Sequence, residues 1–268
     1  PTRRSSDLTL SVRIANELGR RERVDFIYAK GFTAWELLNR KEKGQGFPLI
    51  GVNLHGLEMF QRQPDLWSGI KSKLLLQSPA RYNLRHADVL FSYGARITDL
   101  LRNEGVEPSR IIEIPTGITA DWVSNGIIEM QMPRRFIFIG RDERRKGIHE
   151  FYQAIKSLNT SRSVEFHFVG AFKTKLRQYG VHYHGQIKDN NQLKTLLDAS
   201  HVLVCPSYAE GMPNVIMEGM ARGCAILATD VGAVGAVVNS DTGWLIPAGD
   251  QRALQQKLAD IIALPDEQ

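Results

Sequence analysis

Cysteine is scarce in this chain of 268 residues. Only Cys205 and Cys224 are present, and they form no C-x-x-C pair. That excludes a disulfide framework and a cysteine-built zinc module. Both cysteines lie in apolar segments and are read as buried thiols of a reducing compartment. No apolar run approaches the roughly 20 residues that a membrane helix needs, and no secretory leader is visible. Blocks of like charge are missing too. Acidic and basic residues are interspersed at a net charge of +5, which argues against a nucleic-acid-binding tail. No D-x-D tripeptide, internal repeat or low-complexity tract occurs. What remains is an ordinary globular composition, 43% hydrophobic and 24% charged, sufficient for one large domain or two of common size.

The first eight residues, PTRRSSDL, back-translate into a string that resembles a common sequencing adapter. Residues 1–8 are therefore read as a non-native segment and kept out of the fold argument. From residue 24 onward, short apolar runs alternate with amphipathic ones. Strands are predicted at 24–28, 48–54, 89–92 and 110–114. Helices are predicted at 35–43 and 96–104, and a long amphipathic stretch at 65–86. Residues 116–133 carry Gly117, Gly126 and Pro133 with little periodicity, and read as a crossing between two lobes. The alternation then restarts. Strands are predicted at 135–139, 164–169, 181–184, 202–205, 225–228 and 244–246. Helices are predicted at 148–158, 192–199, 214–221 and 252–264. Runs such as FIFI and HVLVC are apolar on both faces, as buried parallel strands are. The fold class is α/β, with two Rossmann-like doubly wound lobes. The domains are a first lobe at 9–116, a crossing at 117–133 and a second lobe at 134–268. In such sheets ligands bind at the carboxyl ends of the strands.

The segment richest in chemistry is SYAEGMPNVIMEG, residues 207–219. A strand ends at Pro206, a Gly/Pro loop follows, and a helix opens near Pro213, where a missing N–H costs nothing. The N–H groups of that turn, helped by the helix dipole, suit an anion. Glu210 lies in the loop and Glu218 just over a turn into the helix. Each carboxylate can accept two hydrogen bonds from vicinal hydroxyls. A second candidate is RDERRKG, residues 141–147, which follows a strand-end Gly140 and precedes an apolar helix. Arg141 and Lys146 are the cations of interest there, and Arg144 and Arg145 are read as solvated charge.

EGMPNVIME resembles the E-x7-E motif of family-four, GT-B-fold retaining glycosyltransferases. The resemblance extends to FIGR (138–141), KGI (146–148), TDVG (229–232) and DTGWLIP (241–247), and covers most of residues 134–264. It implies that Arg141 and Lys146 hold the diphosphate of a nucleotide-sugar donor. Fixed cations there would offset charge that grows on the leaving phosphate. Glu210 would contact the transferred sugar, and Gly211, Met212, Pro213 and Asn214 would line its pocket. Glu218 would bind the ribose hydroxyls. Gly140 would sit at a strand end near the phosphates, and Gly170 and the His184–Ile187 turn, with Ile187, at strand ends near the base. In the first lobe NLHGLE (53–58) resembles the family's strand-end His segment, so His55 would donate a hydrogen bond to the donor sugar across the cleft. The implied reaction retains the anomeric configuration. The acceptor attacks on the face that the diphosphate leaves, and no metal or other cofactor is expected.

Three departures from the family pattern stand out. No Gly-rich segment precedes the first strand, no return helix follows the last one, and Gly232-Ala-Val-Gly235-Ala236 lacks the acidic residue often found near Ala236. The chain is accordingly read as truncated, with an incomplete first lobe. The expected partners are a nucleotide sugar and a glycan or lipid-linked acceptor, without nucleic acid. The expected location is the cytoplasm, including the inner face of its membrane. Two other readings stand beside the transferase: a nucleotide-sugar epimerase, and a fragment that binds nucleotide without turnover. His182 and His184 share one strand face with His167 as a neighbour; metal binding is one reading of them, and polar positions at a sheet end are the reading preferred. Trp67, Ile70, Leu74 and Leu75 form an apolar stripe flanked by Lys71, Lys73, Arg81 and Arg85. It suits an anionic membrane, but a helix burying its stripe in the lobe core is the reading preferred.

Overall fold

In a computed structural model of the chain, residues 3–18, 24–124, 126, 132–158 and 163–265 are described. The predicted crossing at 117–133 and the first and last residues fall partly outside this set. The chain divides into two compact units. One comprises residues up to 61 together with 65–115. The other comprises 62–64 and everything from 116 onward.

The first unit opens on α1 (Arg3–Leu18), a helix that the sequence reading did not anticipate. Four parallel strands follow: β1 (Phe26–Lys30), β2 (Leu49–Asn53), β3 (Val89–Ser92) and β4 (Ile111–Glu113), ordered in space as in sequence. The helices between them are α2 (Trp35–Glu42), α3 (Leu66–Ser72), α4 (Ser78–His86) and α5 (Arg96–Asn103). α3 runs into α4 through a π-helical turn at Lys73–Gln77, so the stretch predicted at 65–86 is helical almost throughout. Ile50, Val52, Leu37, Leu38, Leu84, Leu90 and Ile97 form its interior. Lys41 Nζ lies 2.6 Å from Asp88 Oδ2, and that same oxygen accepts the Ile50 N–H at 2.7 Å, which pins the start of β2. The stripe on α3 corrects the sequence reading. Leu66, Trp67 and Leu74 are 85%, 82% and 73% exposed, so the apolar face is not a core face of its unit. Helical spacing reveals an apolar face but not what covers it.

The second unit holds a six-stranded parallel sheet. Its strands are β5 (Arg134–Ile139), β6 (Val164–Val169), β7 (Val181–Gly185), β8 (Val202–Cys205), β9 (Ala225–Thr229) and β10 (Gly243–Ile246), in the order β10-β9-β8-β5-β6-β7. Four helices cover it: α6 (Ile148–Ser157), α7 (Asn190–Asp198), α8 (Asn214–Ala221) and α9 (Gln251–Ala263). Side chains alternate across β5. Phe136 and Phe138 join Phe151, Phe166, Phe168 and Leu258 on one face. Ile137 joins Leu197, Leu203, Ile216 and Ile226 on the other. Buried Arg134 donates to the carbonyls of Ile261 and Leu264 and so satisfies the orphan end of α9.

The strand order places the functional loops. β5 and β8 are neighbours in space but far apart in sequence, and the chain winds outward from them in both directions. This is a topological switch point, where the loops leaving two adjacent strands separate and open a crevice.

Phe168 is fully buried, and its ring meets Phe138, Phe151, Tyr152, Phe172 and Tyr183 at centroid distances of 5.1–6.0 Å. Phe168→Ala is expected to destabilise the second unit by roughly 3–5 kcal/mol. Chemical denaturation reads this as a lower midpoint, and a shift worth under about 1 kcal/mol would refute close packing there.

Candidate active site

The loop after β5 and the loop after β8 meet at Glu210. This residue is 6% exposed, and its carboxylate accepts from Lys146 Nζ at 2.6 Å. The Arg145 guanidinium lies 3.6 Å from its other oxygen. A carboxylate so deeply buried is costly unless paired, and both cations come from a segment about 64 residues earlier in the chain.

The Glu210 loop is tied down on both flanks. Arg145 donates from its side chain to the Ala209 carbonyl at 2.7 Å, and its own carbonyl accepts the Tyr208 N–H at 2.8 Å. Thr229 Oγ1 donates to the Ser207 carbonyl at 2.5 Å, and the Ala233 N–H donates to the Gly211 carbonyl at 2.7 Å. Two glycines make these contacts possible. Gly147 has φ +69, and a Cβ there would stand 1.9 Å from the Pro206 carbonyl oxygen. Gly232 has φ +57, and a Cβ would stand 2.2 Å from the Glu210 carbonyl oxygen. Only glycine tolerates both the left-handed backbone and the close approach.

Arg145 corrects the sequence reading, since it is largely buried against Glu210, whereas Arg144 is exposed as expected but is paired. Arg144 forms a forked pair with Glu150 at 2.5 and 2.6 Å, and its guanidinium lies 5.2 Å from the Tyr208 ring centre. Tyr208 Oη donates to the same carboxylate at 2.8 Å. Burial pushes the Glu150 carboxyl up, but these hydrogen bonds outweigh it and hold the pKa below the usual range. Arg145 supports Glu210 directly. A run of charges shows cations but not which strand end will need them, so its spacing carried no signal for this pairing.

Arg141 is different. Its side chain is 72% exposed and held by Glu143 at 2.8 Å, at the mouth of the same loop. Pro213 caps α8 rather than opening it, and Asn214 is the first helical residue. Glu218 follows within α8, half-buried, and among the described residues no cation or hydrogen-bond donor meets its carboxylate. Burial alone raises its pKa. Gly140 and Gly170 lie at the ends of β5 and β6, joined by the Gly140 N–H to the Val169 carbonyl at 3.0 Å. The Gly170 N–H reaches the Gly185 carbonyl at 2.8 Å, two residues before Ile187. Cys205 and Cys224 are buried thiols as expected, and burial pushes them up to about 11 and about 12.

His55 belongs to the first unit. It follows β2 with φ +57, and Leu57 has φ +48. Residues other than glycine adopt this conformation at a cost, and such outliers gather at functional sites. The turn is held by the Asn53 side chain, which accepts the His55 N–H at 2.7 Å, and by Tyr93 Oη, 3.0 Å from His55 Nδ1.

The raised pKa of Glu218 has a consequence with a definite sign. The folded state binds this proton more tightly than the unfolded state, so stability falls as pH rises through the interval between the two pKa values. The penalty is absent well below the ordinary glutamate pKa of about 4.3 and complete above the raised one. Glu218→Gln is therefore expected to raise the melting temperature at pH 7 but not at pH 3. Equal shifts at both pH values would refute an ionisation penalty.

Residues 133–263 match the family described as "Glycosyl transferases group 1". Among curated proteins, the chain is 36% identical over 125 residues to the "Putative teichuronic acid biosynthesis glycosyltransferase TuaC" of Bacillus subtilis. That stretch covers 47% of this chain and 32% of the relative, so the chain spans about a third of that protein's length. Among solved structures, sucrose-phosphate synthase from Thermosynechococcus elongatus has a TM-score of 0.74 at 20% identity, covering 97% of this chain and 70% of that one. Anabaena HepE in complex with UDP has a TM-score of 0.68 at 17% identity, covering 94% and 71%. The two parallel-stranded α/β units share the GT-B fold of these structural neighbours. Together with the Glu210–Lys146 pair at the switch point, the match identifies residues 133–263 of this chain as a group 1 glycosyltransferase domain.

Proposed function

We propose that this chain contains the donor-binding part of a retaining glycosyltransferase that moves a sugar from a nucleoside diphosphate to a hydroxyl of a glycan or lipid-linked acceptor. The observation that carries the reading is the buried Glu210 carboxylate, paired with Lys146 at the switch point, with the bare Glu218 carboxylate further along the adjoining helix. Glu210 accepts from hydroxyls of the transferred sugar. Glu218 accepts from the ribose hydroxyls. Lys146 keeps two donors beyond the one given to Glu210, and with Arg141 it holds the diphosphate. Their charge stabilises the leaving group as its negative charge grows. The acceptor hydroxyl attacks on the face from which the diphosphate departs, its proton passing to a phosphate oxygen, and no metal is needed. The UDP bound to the Anabaena neighbour favours a uridine donor.

Calorimetric titration with UDP, GDP and ADP tests this. The expected result is binding of UDP that Glu218→Ala and Arg141→Ala each weaken about tenfold or more, the loss of a charge-assisted hydrogen bond being worth roughly 1.5–3 kcal/mol. Failure of a demonstrably folded protein to bind any of the three overturns the reading. Binding without transfer to an acceptor marks a nucleotide-binding fragment, and inversion of the free nucleotide sugar marks an epimerase.

One observation extends the reading to the acceptor side. Leu66, Trp67, Ile70 and Leu74 expose an apolar face on and just beyond α3, with Lys71 and Lys73 among them. An apolar face with cations beside it suits an anionic lipid surface, where lipid-linked acceptors reside. No described helix is long and apolar enough to cross a membrane. Co-sedimentation with vesicles is expected to require anionic lipid and to fall sharply in Trp67→Ser. Equal recovery with neutral vesicles, or no loss in Trp67→Ser, would refute the contact.

A further inference from the structure

The edge of the second sheet carries a cluster that the donor site does not use. β6 and β7 pair in parallel with His167 opposite His182. Side chains two apart on a strand share a face, so Glu165 and His167 on one strand lie beside His182 and His184 on the other. The rings of His182 and His184 stack against His167 at centroid distances of 5.0 and 5.2 Å. One ligand atom from each of Glu165, His167 and His182 falls within 4.8 Å of the others. His167 Nδ1 is 2.9 Å from His184 Nε2, and His167 Nε2 is 3.3 Å from Glu165 Oε2.

These contacts allow two proton arrangements. A neutral imidazole has one N–H and one lone pair. If His167 donates from Nδ1 to His184, its Nε2 lone pair faces the Glu165 carboxylate, and two acceptors meet with nothing between them. A cation placed there satisfies both. A neutral imidazole is the form that binds metal. The other arrangement runs Nε2–H of His167 to Glu165 and needs no ion.

We infer that Glu165, His167 and His182 form a site for a divalent transition-metal ion of the zinc class, with His184 fixing the His167 ring through its second nitrogen. Two imidazoles and a carboxylate are a common ligand set for such ions, and a hydrogen bond on the far nitrogen orients a ligating histidine. Ligands about 2.0–2.2 Å from a tetrahedral ion lie roughly 3.4 Å apart. The cluster therefore closes by up to about 1.4 Å at its widest, and exposed His182 can supply that movement. Arg135 Nε donates to Glu165 Oε2 at 2.9 Å, which fixes the carboxylate beside His167. Bound there, the ion ties edge strand β7 to β6. The site lies outside the donor residues, and the reaction proposed above does not depend on it.

The test is calorimetric titration of zinc chloride into tag-free protein previously stripped with a chelator, with cobalt(II) absorption as a second probe of the ligand geometry. One equivalent is expected to bind and to raise the melting temperature. His167→Gln should abolish this binding and His182→Ala should weaken it at least tenfold. His149→Ala, an exposed histidine outside the cluster, should change neither. His182 is exposed, so its variant keeps the fold and the test stands even where His167→Gln misfolds. No saturable binding to the folded protein overturns the site and leaves the purely hydrogen-bonded chain from Arg135 to His184. Unchanged affinity in His182→Ala overturns it equally.

Discussion

A carboxylate buried at Glu210 has to be met by cations that its own segment does not contain. Desolvating it alone would cost several kcal/mol, and its neighbours in sequence are Ala209 and Gly211. Lys146 and Arg145 meet it from the loop after β5, and they reach it because β5 and β8 are adjacent strands. The rest of the local structure follows from keeping this pair together. Gly147 has no side chain because Pro206 lies against it, and Gly232 has none because the Glu210 carbonyl does. The flanking carbonyls of Ser207, Ala209 and Gly211 each receive a donor from another loop. Local folding cannot assemble such a site. It exists only once the sheet order is complete, which ties the stability of the second unit to the geometry of its chemistry.

Much of this was legible because two kinds of signal agreed. Short apolar runs located β3, β6 and β8 to the residue, and the Gly/Pro loop before an apolar helical stretch located α8 likewise. Parallel strands buried on both faces are short, uniformly apolar and bounded by glycine or proline, so their limits show in composition. Glu210 and Glu218 were legible because a strand end, a Gly/Pro loop and a helix start surround them. That sequence of elements gives the carboxylates a fixed place in a doubly wound sheet.

What stayed illegible depended on contacts between distant segments. Arg145 and Arg144 look alike in RDERRK, yet one holds the Ala209 carbonyl and the other a buried Glu150. Only the packed loops distinguish them. The stripe at Trp67 has the spacing of a core helix, but spacing carries no information about a covering partner, and its apolar residues are exposed. α1 escaped notice because its start overlaps residues set aside as non-native. The three histidines of β6 and β7 were seen to share strand faces. The 2.9 Å contact between His167 and His184 required the pairing register to be known.

The two glutamates of the motif show how one segment divides its labour by environment. Glu210 receives its cationic partners from the fold, so its charge is offset whenever the protein is folded, and it serves as a fixed point. Glu218 receives none from the described residues, and burial opposes its ionisation. In the donor complex proposed above, the ribose hydroxyls would donate to it. Leaving that carboxylate unsatisfied costs the free protein stability, and the cost is recovered as affinity when hydroxyls dock against it. A glutamine at 218 would suit the empty protein better than a glutamate does. In the proposed reading the residue present serves the complex rather than the free protein, and its bare carboxylate, rather than the well-paired Glu210, is the part of the motif that argues for a ligand.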